Sequence, residues 1–246
     1  MLPHLPHQFT AVITGASGGI GLAFLKRLLA STQTGRILAV SRRPIPLQDK
    51  RLTHLTLDVS EQEGRLALSQ QLRNQPIHLL FNAVGILHDA SRHLQPEKRL
   101  DKLTLEGLTH AMHVNAFTPA LLISAIRPCL QGNHPTIIAS LSARVGSIGD
   151  NHLGGWYGYR ASKAAHNMLM KTAAVELSRL NKQSIVLCLH PGTTDTPLSK
   201  PFQARVPSEK LFTPDFVAEQ LIEVISKRTP DDSGSFWDWA GEPIEW

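Results

Sequence analysis

Between an apolar run of strand length, Thr10-Ala11-Val12-Ile13-Thr14, and an amphipathic stretch beginning at Leu22, the chain places four glycines within eight residues, Thr14-Gly15-Ala16-Ser17-Gly18-Gly19-Ile20-Gly21. Residues without β-carbons let a backbone turn tightly, let a helix approach a sheet closely and leave the amides at a helix N-terminus open to an anion. Strand, glycine turn and helix in immediate succession form the opening unit of a parallel α/β fold whose first helix receives a pyrophosphate. The contacts expected there are Gly15, Ser17, Gly18, Gly19, Ile20 and Gly21.

The rest of the chain supports that fold class. Apolar runs at 10–14, 36–41, 54–57, 78–81, 136–140, 184–190 and 235–239 alternate with helical patterns at 19–30, 61–73, 105–130, 157–180 and 214–227. The alternation predicts one Rossmann-type α/β domain over residues 1–246, a doubly wound, seven-stranded parallel sheet with helices on both faces. Residues 1–8 read as an N-terminal tail. Thr213 is placed to cap the last helix, with Pro214 in its first turn. The Pro-containing stretch 193–212 is too long for an ordinary connection and reads as a substrate loop.

Composition narrows the function classes. The net charge is +5, but Lys and Arg are scattered without interleaved aromatics, which argues against a nucleic-acid partner. Two cysteines, Cys129 and Cys188, lie 59 positions apart, too sparse for a disulfide framework or a zinc knuckle. The twelve histidines show no metal-ligand spacing, so no metal is expected. No stretch has the length of a membrane span and the N-terminus lacks an apolar leader, so the expectation is a cytoplasmic protein without a membrane partner.

Two constellations carry chemistry. Tyr159-Arg160-Ala161-Ser162-Lys163 sets a phenol and an ammonium four residues apart, on one face of a helix. A free phenol, with a pKa of about 10, exchanges protons poorly near neutrality, and a neighbouring cation favours its phenolate. Tyr157 has Ala161 at the same spacing, so Tyr159 is the acid/base expected. The second strand ends in Ser41-Arg42-Arg43, where a dinucleotide fold places the adenosine ribose. An acidic residue there would bond the 2′-hydroxyl, whereas Arg42 can pair with a 2′-phosphate, with Arg43 as a possible second contact, so NADP(H) is the expected cofactor.

The TGxxxGxG turn, the Tyr159–Lys163 pair and the segments between them resemble the short-chain dehydrogenase/reductase superfamily. The resemblance implies an adenine contact at Asp58 and Val59, although Asp58 is equally placed to cap the next helix. It implies cofactor contacts from Asn82, Ala83 and Gly85, with sheet stabilisation as the other reading of Asn82. Asn115 matches the catalytic Asn that holds a water linking the active-site Lys to solvent. Tyr159 and Lys163 also grip the cofactor, and Pro191, Gly192, Thr194 and Thr196 fold around its nicotinamide end. The segment Ser140-Leu141-Ser142-Ala143 departs from the family, with Ala143 where the second Ser normally donates to the substrate carbonyl. Ser142 is the expected donor and Ser140 the runner-up.

Further stretches, including Arg144-Val145-Gly146-Ser147-Ile148 and Gly154-Gly155-Trp156-Tyr157, resemble the C-factor and sniffer carbonyl-reductase branch. The implied activity is hydride transfer between nicotinamide and a small-molecule carbonyl or alcohol. The alternative is a C-factor-like signalling or cofactor-sensing protein with little turnover. Surplus apolar residues on the two long helices, among them Leu121, Leu122, Met168, Leu169 and Met170, predict a homodimer or homotetramer.

Overall fold

Residues at alternate positions of a strand face opposite sides of a sheet, so a sheet buried on both sides needs an almost unbroken apolar run. The computed structural model, which describes residues 1–246 apart from the Arg205 side chain, shows this pattern. Its first half contains β1 (Phe9–Thr14), α1 (Gly19–Ala30), β2 (Thr34–Ser41), β3 (Leu52–Thr56), α2 (Gln62–Leu72) and β4 (Leu79–Asn82). There follow α3 (Leu105–Met112), α4 (Thr118–Ala125), β5 (Thr136–Leu141), α5 (Tyr157–Leu180) and β6 (Ser184–His190). The chain ends with β7 (Thr193–Thr194), β8 (Leu211–Phe212), α6 (Pro214–Ser226) and β9 (Ser235–Asp238). Thr213 caps α6 as expected, its hydroxyl accepting from the Phe216 amide at 3.2 Å.

The expected seven-stranded parallel sheet is present, in the order β3-β2-β1-β4-β5-β6-β9. One face packs Ile13, Ile37, Phe81, Ala139 and Leu187 against α1 and α6. The other packs Val12, Leu38, Leu80, Ile138 and Val186 against α2, α4 and α5. Strand order reverses between β1 and β4, and ligands of open α/β sheets bind at such a point, beyond the C-terminal strand ends.

The pattern at 105–130 is not one helix. Pro119 has no N–H to offer the Asn115 carbonyl four residues back, and its ring crowds that carbonyl. The backbone widens into a π turn at His113–Phe117, and the Thr118 hydroxyl donates to the His113 carbonyl at 2.8 Å. Pro128 has the same effect lower down, so α4 stops at Ala125 and a short 3₁₀ turn, Arg127–Cys129, follows. β2 and β3 each begin two residues before their apolar runs.

Residues 1–8 pack more closely than a tail: Leu2 and Leu5 lie in the core, and the Gln33 side-chain amide donates to both their carbonyls. The stretch 193–212 closes on itself, β7 pairing in parallel with β8. Among the described residues, no helix is long and apolar enough to cross a membrane.

Two histidines lie where a charged imidazole is disfavoured. His166 on α5 is fully buried, and neither ring nitrogen has a hydrogen-bond partner among the described residues. Burial, then the nearby Lys163 ammonium, pushes it down to about 3. His190 is pushed down to about 4, by burial and then the Arg144 guanidinium. An unfolded imidazole takes up its proton near pH 6.5, so below that pH the unfolded chain binds protons that the fold refuses. The contribution of these imidazoles to stability is intact above 6.5 and is lost as the pH falls toward 4. Carboxylates such as Asp49, held at about 2 by its hydrogen bond to Arg51, act only below 3.8. The thermal midpoint is therefore expected to decline between pH 6.5 and 4, and less steeply in His166→Leu. Scanning calorimetry across that range checks this; an unchanged slope in the variant contradicts it.

Candidate active site

The glycine turn is built by close approaches. Gly15, at φ +71°, leaves the end of β1, and a β-carbon there would lie 2.8 Å from the carbonyl carbon and oxygen of Ala83. At Gly21 a β-carbon would strike the Gly15 carbonyl, and at Gly19 it would lie 2.7 Å from the Thr196 methyl. α1 begins after Gly18 with neither a side-chain cap nor an acidic residue in its first turn. Its free amides and the positive end of its dipole suit a pyrophosphate. Ser17 is half-buried in the turn.

A cavity of about 300 Å³ lies at the switch point, and its wall joins Gly18, Gly19, Ile20 and Gly21 to Tyr159, Lys163 and the segment His190-Pro191-Gly192-Thr193-Thr194. Thr196, Ala83 and Gly85 also border it. Gly192, at φ +70°, lets the chain turn against the Phe212 ring, 2.7 Å from where its β-carbon would be.

Arg42 and Asp58 lie outside this cavity, beyond the ends of β2 and β3. The Arg42 guanidinium is 76% exposed and stands 3.7 Å from the Asp58 carboxylate. Asp58 does not cap α2, whose cap position is Glu61; its carboxylate accepts from the Ser60 amide and hydroxyl at 2.9 and 2.6 Å. Burial works to raise the Asp58 carboxyl, but the Ser60 bonds, followed by Arg42, outweigh it and hold the group below its ordinary range. Val59 is buried in the core.

Asn82 is tied into the sheet, as its structural reading expects. Its Oδ1 accepts from the Thr14 hydroxyl at 2.7 Å and its Nδ2 donates one of its two hydrogens to Ser140 Oγ at 2.8 Å. Ser140, the runner-up carbonyl donor, is committed inside the sheet and does not border the cavity.

Tyr159 and Lys163 share one face of α5, with Nζ 5.8 Å from the phenol ring centroid. Nζ donates to the Leu141 carbonyl at 2.9 Å. Burial pushes Lys163 down to about 8 and pushes the Tyr159 phenol above its usual range. This corrects the expectation that the lysine lowers the phenol: in the protein alone desolvation dominates, and Tyr159 is a neutral acid.

Asn115 sits in the π turn, fully buried. Its Oδ1 accepts from the Ile86 amide at 2.8 Å, and its Nδ2 donates to the Ile86 carbonyl at 2.9 Å and to Ser162 Oγ at 3.0 Å. A β-carbon at Gly85 would lie 3.3 Å from Asn115 Oδ1 and 3.5 Å from Lys163 Nζ, so three of the expected residues do converge. Ser142 borders the cavity, but its hydroxyl donates to Asn167 Oδ1 at 2.6 Å.

Sequence reasoning missed several residues here. Pro119, four residues after Asn115, is legible in hindsight as the origin of the π turn. Asn167, four residues after Lys163, lies on the same helical face as the catalytic pair. Glu97, whose carboxylate accepts from the Gly158 amide at 3.0 Å, left no local signal.

A parallel doubly wound sheet whose switch-point cavity joins an anion-binding glycine turn to a Tyr–Lys pair defines a nicotinamide-dependent oxidoreductase. Residues 9–206 match the short chain dehydrogenase family, and the chain belongs to it. It is 34% identical over 193 residues to 1-hydroxy-2-glutathionyl-2-methyl-3-butene dehydrogenase of Rhodococcus sp. strain AD45, spanning 77% of this chain and 78% of that one. It is 33% identical over 133 residues to the C-signal protein of Myxococcus xanthus, 54% of this chain and 75% of the other. The NADPH-bound carbonyl reductase from chicken fatty liver shares its fold with a TM-score of 0.83 and 26% identity, covering 98% of this chain and 95% of that one.

Proposed function

We propose that the protein is an NADP(H)-dependent oxidoreductase acting on a carbonyl or alcohol, with Tyr159 as general acid/base. The observation that carries this reading is the shared cavity, in which the glycine turn and the Tyr159–Lys163 pair face one space. A bound nicotinamide would supply or accept the hydride. The turn from Gly15 to Gly21 would hold the pyrophosphate; Asp58 and Val59 would meet the adenine; Pro191, Gly192, Thr194 and Thr196 would border the nicotinamide end.

The desolvated, neutral Tyr159 donates its proton to the carbonyl oxygen as negative charge develops there. Lys163, still mostly protonated near neutrality with its pKa at about 8, faces the resulting phenolate. Asn115 orders the proton path by fixing Ile86 and Ser162 beside Lys163. Ser142 exchanges Asn167 for the carbonyl oxygen as the second donor.

Arg42, exposed and facing a single carboxylate, supports the phosphorylated cofactor. Calorimetric titration is expected to show NADPH binding at least about tenfold more tightly than NADH, with the preference erased in Arg42→Ala. Equal affinities in the wild type would refute the assignment.

Steady-state kinetics test the donors. Tyr159→Phe is expected to abolish turnover with NADPH affinity retained, while Tyr157→Phe keeps most activity. Ser142→Ala lowers kcat by about 10² to 10³, whereas Asn167→Ala, which frees the hydroxyl, does not. Equally mild losses in both assign Ser142 to packing alone.

A second reading, a cofactor-sensing or signalling protein, draws on Ala143 in place of a donor and on the likeness to C-signal. Tight NADPH binding without turnover of any aldehyde, ketone, quinone or pterin selects it.

We also propose self-association through α4 and α5. Leu121 and Met168 are 44% and 67% exposed there, whereas Leu122 and Met170 fill the core. Light scattering at micromolar concentration is expected to give a dimer or tetramer; a monomer excludes it.

A further inference from the structure

We infer that Trp156 is a specificity-determining residue and that it selects a neutral carbonyl compound bearing an aromatic ring; this rests on the oxidoreductase reading above. Trp156 borders the cavity immediately before α5, with its backbone at φ 52° and ψ 45°. That left-handed conformation is rare and costly for a bulky side chain. It follows two glycines also at positive φ, Gly154 and Gly155.

Contacts from elsewhere hold the strained residue in place. The Trp156 amide donates to the Glu97 carbonyl, and the Glu97 carboxylate accepts from Gly158. Arg160 donates through Nε to the Gly155 carbonyl at 2.9 Å and through Nη2 to that of Gly154 at 3.1 Å.

What this maintains is an aromatic wall beside the acid. The indole meets the Tyr159 ring edge-on, centroids 6.2 Å apart at 72°, and the Phe202 ring at 5.3 Å and 63°. Phe202 in turn meets His88 at 5.9 Å and 61°. Separate loops thus contribute rings that run on from Tyr159 as one chain of edge contacts, and aromatic edges of this kind favour a further ring.

The charge distribution says which aromatic compound. Among the described residues that line the cavity, the full cations are Arg144 and Lys163. Arg144 is paired with Asp238 at 3.0 Å and Asp150 at 3.6 Å, and Lys163 is bonded to the Leu141 carbonyl. Arg144 is thus already offset by two carboxylates, and Lys163 serves Tyr159 in the reaction proposed above, so neither is left over as a counter-ion for a carboxylate or phosphate on the substrate. In the proposed reaction a bound reduced nicotinamide would supply the hydride to the carbonyl carbon and leave oxidised, while the π electrons pass to oxygen, which takes the Tyr159 proton to give the alcohol.

The test compares acetophenone with cyclohexyl methyl ketone, which keeps the carbonyl and bulk but lacks the ring's π face, and with 4-acetylbenzoate. For the wild type with NADPH, kcat/KM is expected to favour acetophenone over the saturated ketone by about threefold to tenfold, the range that aromatic pairs contribute. 4-Acetylbenzoate is expected to be the poorest of the three. Trp156→Ala brings the first ratio to about one, and Trp156→Phe preserves it; an unchanged NADPH affinity shows that the variants are folded. A ratio near one in the wild type, or one unchanged in Trp156→Ala, overturns the inference while leaving the oxidoreductase reading intact. If no ketone is turned over, that reading fails, and calorimetric binding of acetophenone against cyclohexyl methyl ketone to the NADP⁺-loaded protein still decides the aromatic preference.

Discussion

Three buried side chains set the level from which everything in the site is built. Thr14, Asn82 and Ser140 are direct neighbours on β1, β4 and β5, and the Asn82 amide bonds both of the others. All are almost completely buried, so a slip of any strand would leave a polar group without a partner, at a cost of about 1–3 kcal/mol. The strands therefore end together, and the segments that leave them emerge side by side: the glycine turn, Ala83 to Gly85, and Ser142 to Arg144. Those segments are the cavity floor. The tightness of the arrangement, with Gly15 against the Ala83 carbonyl, follows from that alignment.

The second determinant is burial of the titratable groups. Tyr159, Lys163, His166 and His190 all have their charged forms disfavoured first by loss of water. Such surroundings keep the phenol protonated and make the lysine a readier proton carrier than a solvated amine. They also disfavour the thiolate of Cys188, near the same lysine: burial pushes its thiol up to about 12, and Lys163 only partly offsets this. A group that enters this cavity and carries charge alters the balance strongly, because the same low polarity that shifts these values strengthens each new interaction.

The seven-stranded parallel sheet and the residues that meet at the cavity left local signatures: apolar runs of strand length, glycines at fixed spacing, a Tyr and a Lys one turn apart. What escaped was set by contacts between distant segments or by competition between local rules. The run 105–130 is helical in its apolar periodicity, and only the missing N–H of Pro119 opens the π turn that carries Asn115. Asp58 has the chemistry of a helix cap but lies too far before α2, and it turns back on Ser60 instead. Ser142 stands at the strand end in the expected place; its partner Asn167 is 25 residues away in sequence, and nothing near Ser142 announces it.

The same distinction separates the floor of the cavity from its roof. The floor is made by strand ends locked to one another, whereas the stretch 193–212 is tied at its own ends by the β7–β8 pair, meets other loops through Phe202, and rests on two glycines. At one, Gly19, the absent β-carbon makes room for the Thr196 methyl; at the other, Gly192, it makes room for the Phe212 ring. Gly19 also belongs to the glycine turn, so the loop rests on backbone whose uncapped helix amides suit an anion. A side chain there would do two things at once, blocking an anion from the helix amides and lifting Thr196 off the turn. Glycine turn and loop 193–212 thus meet at one residue, and a side chain at Gly19 would disturb both.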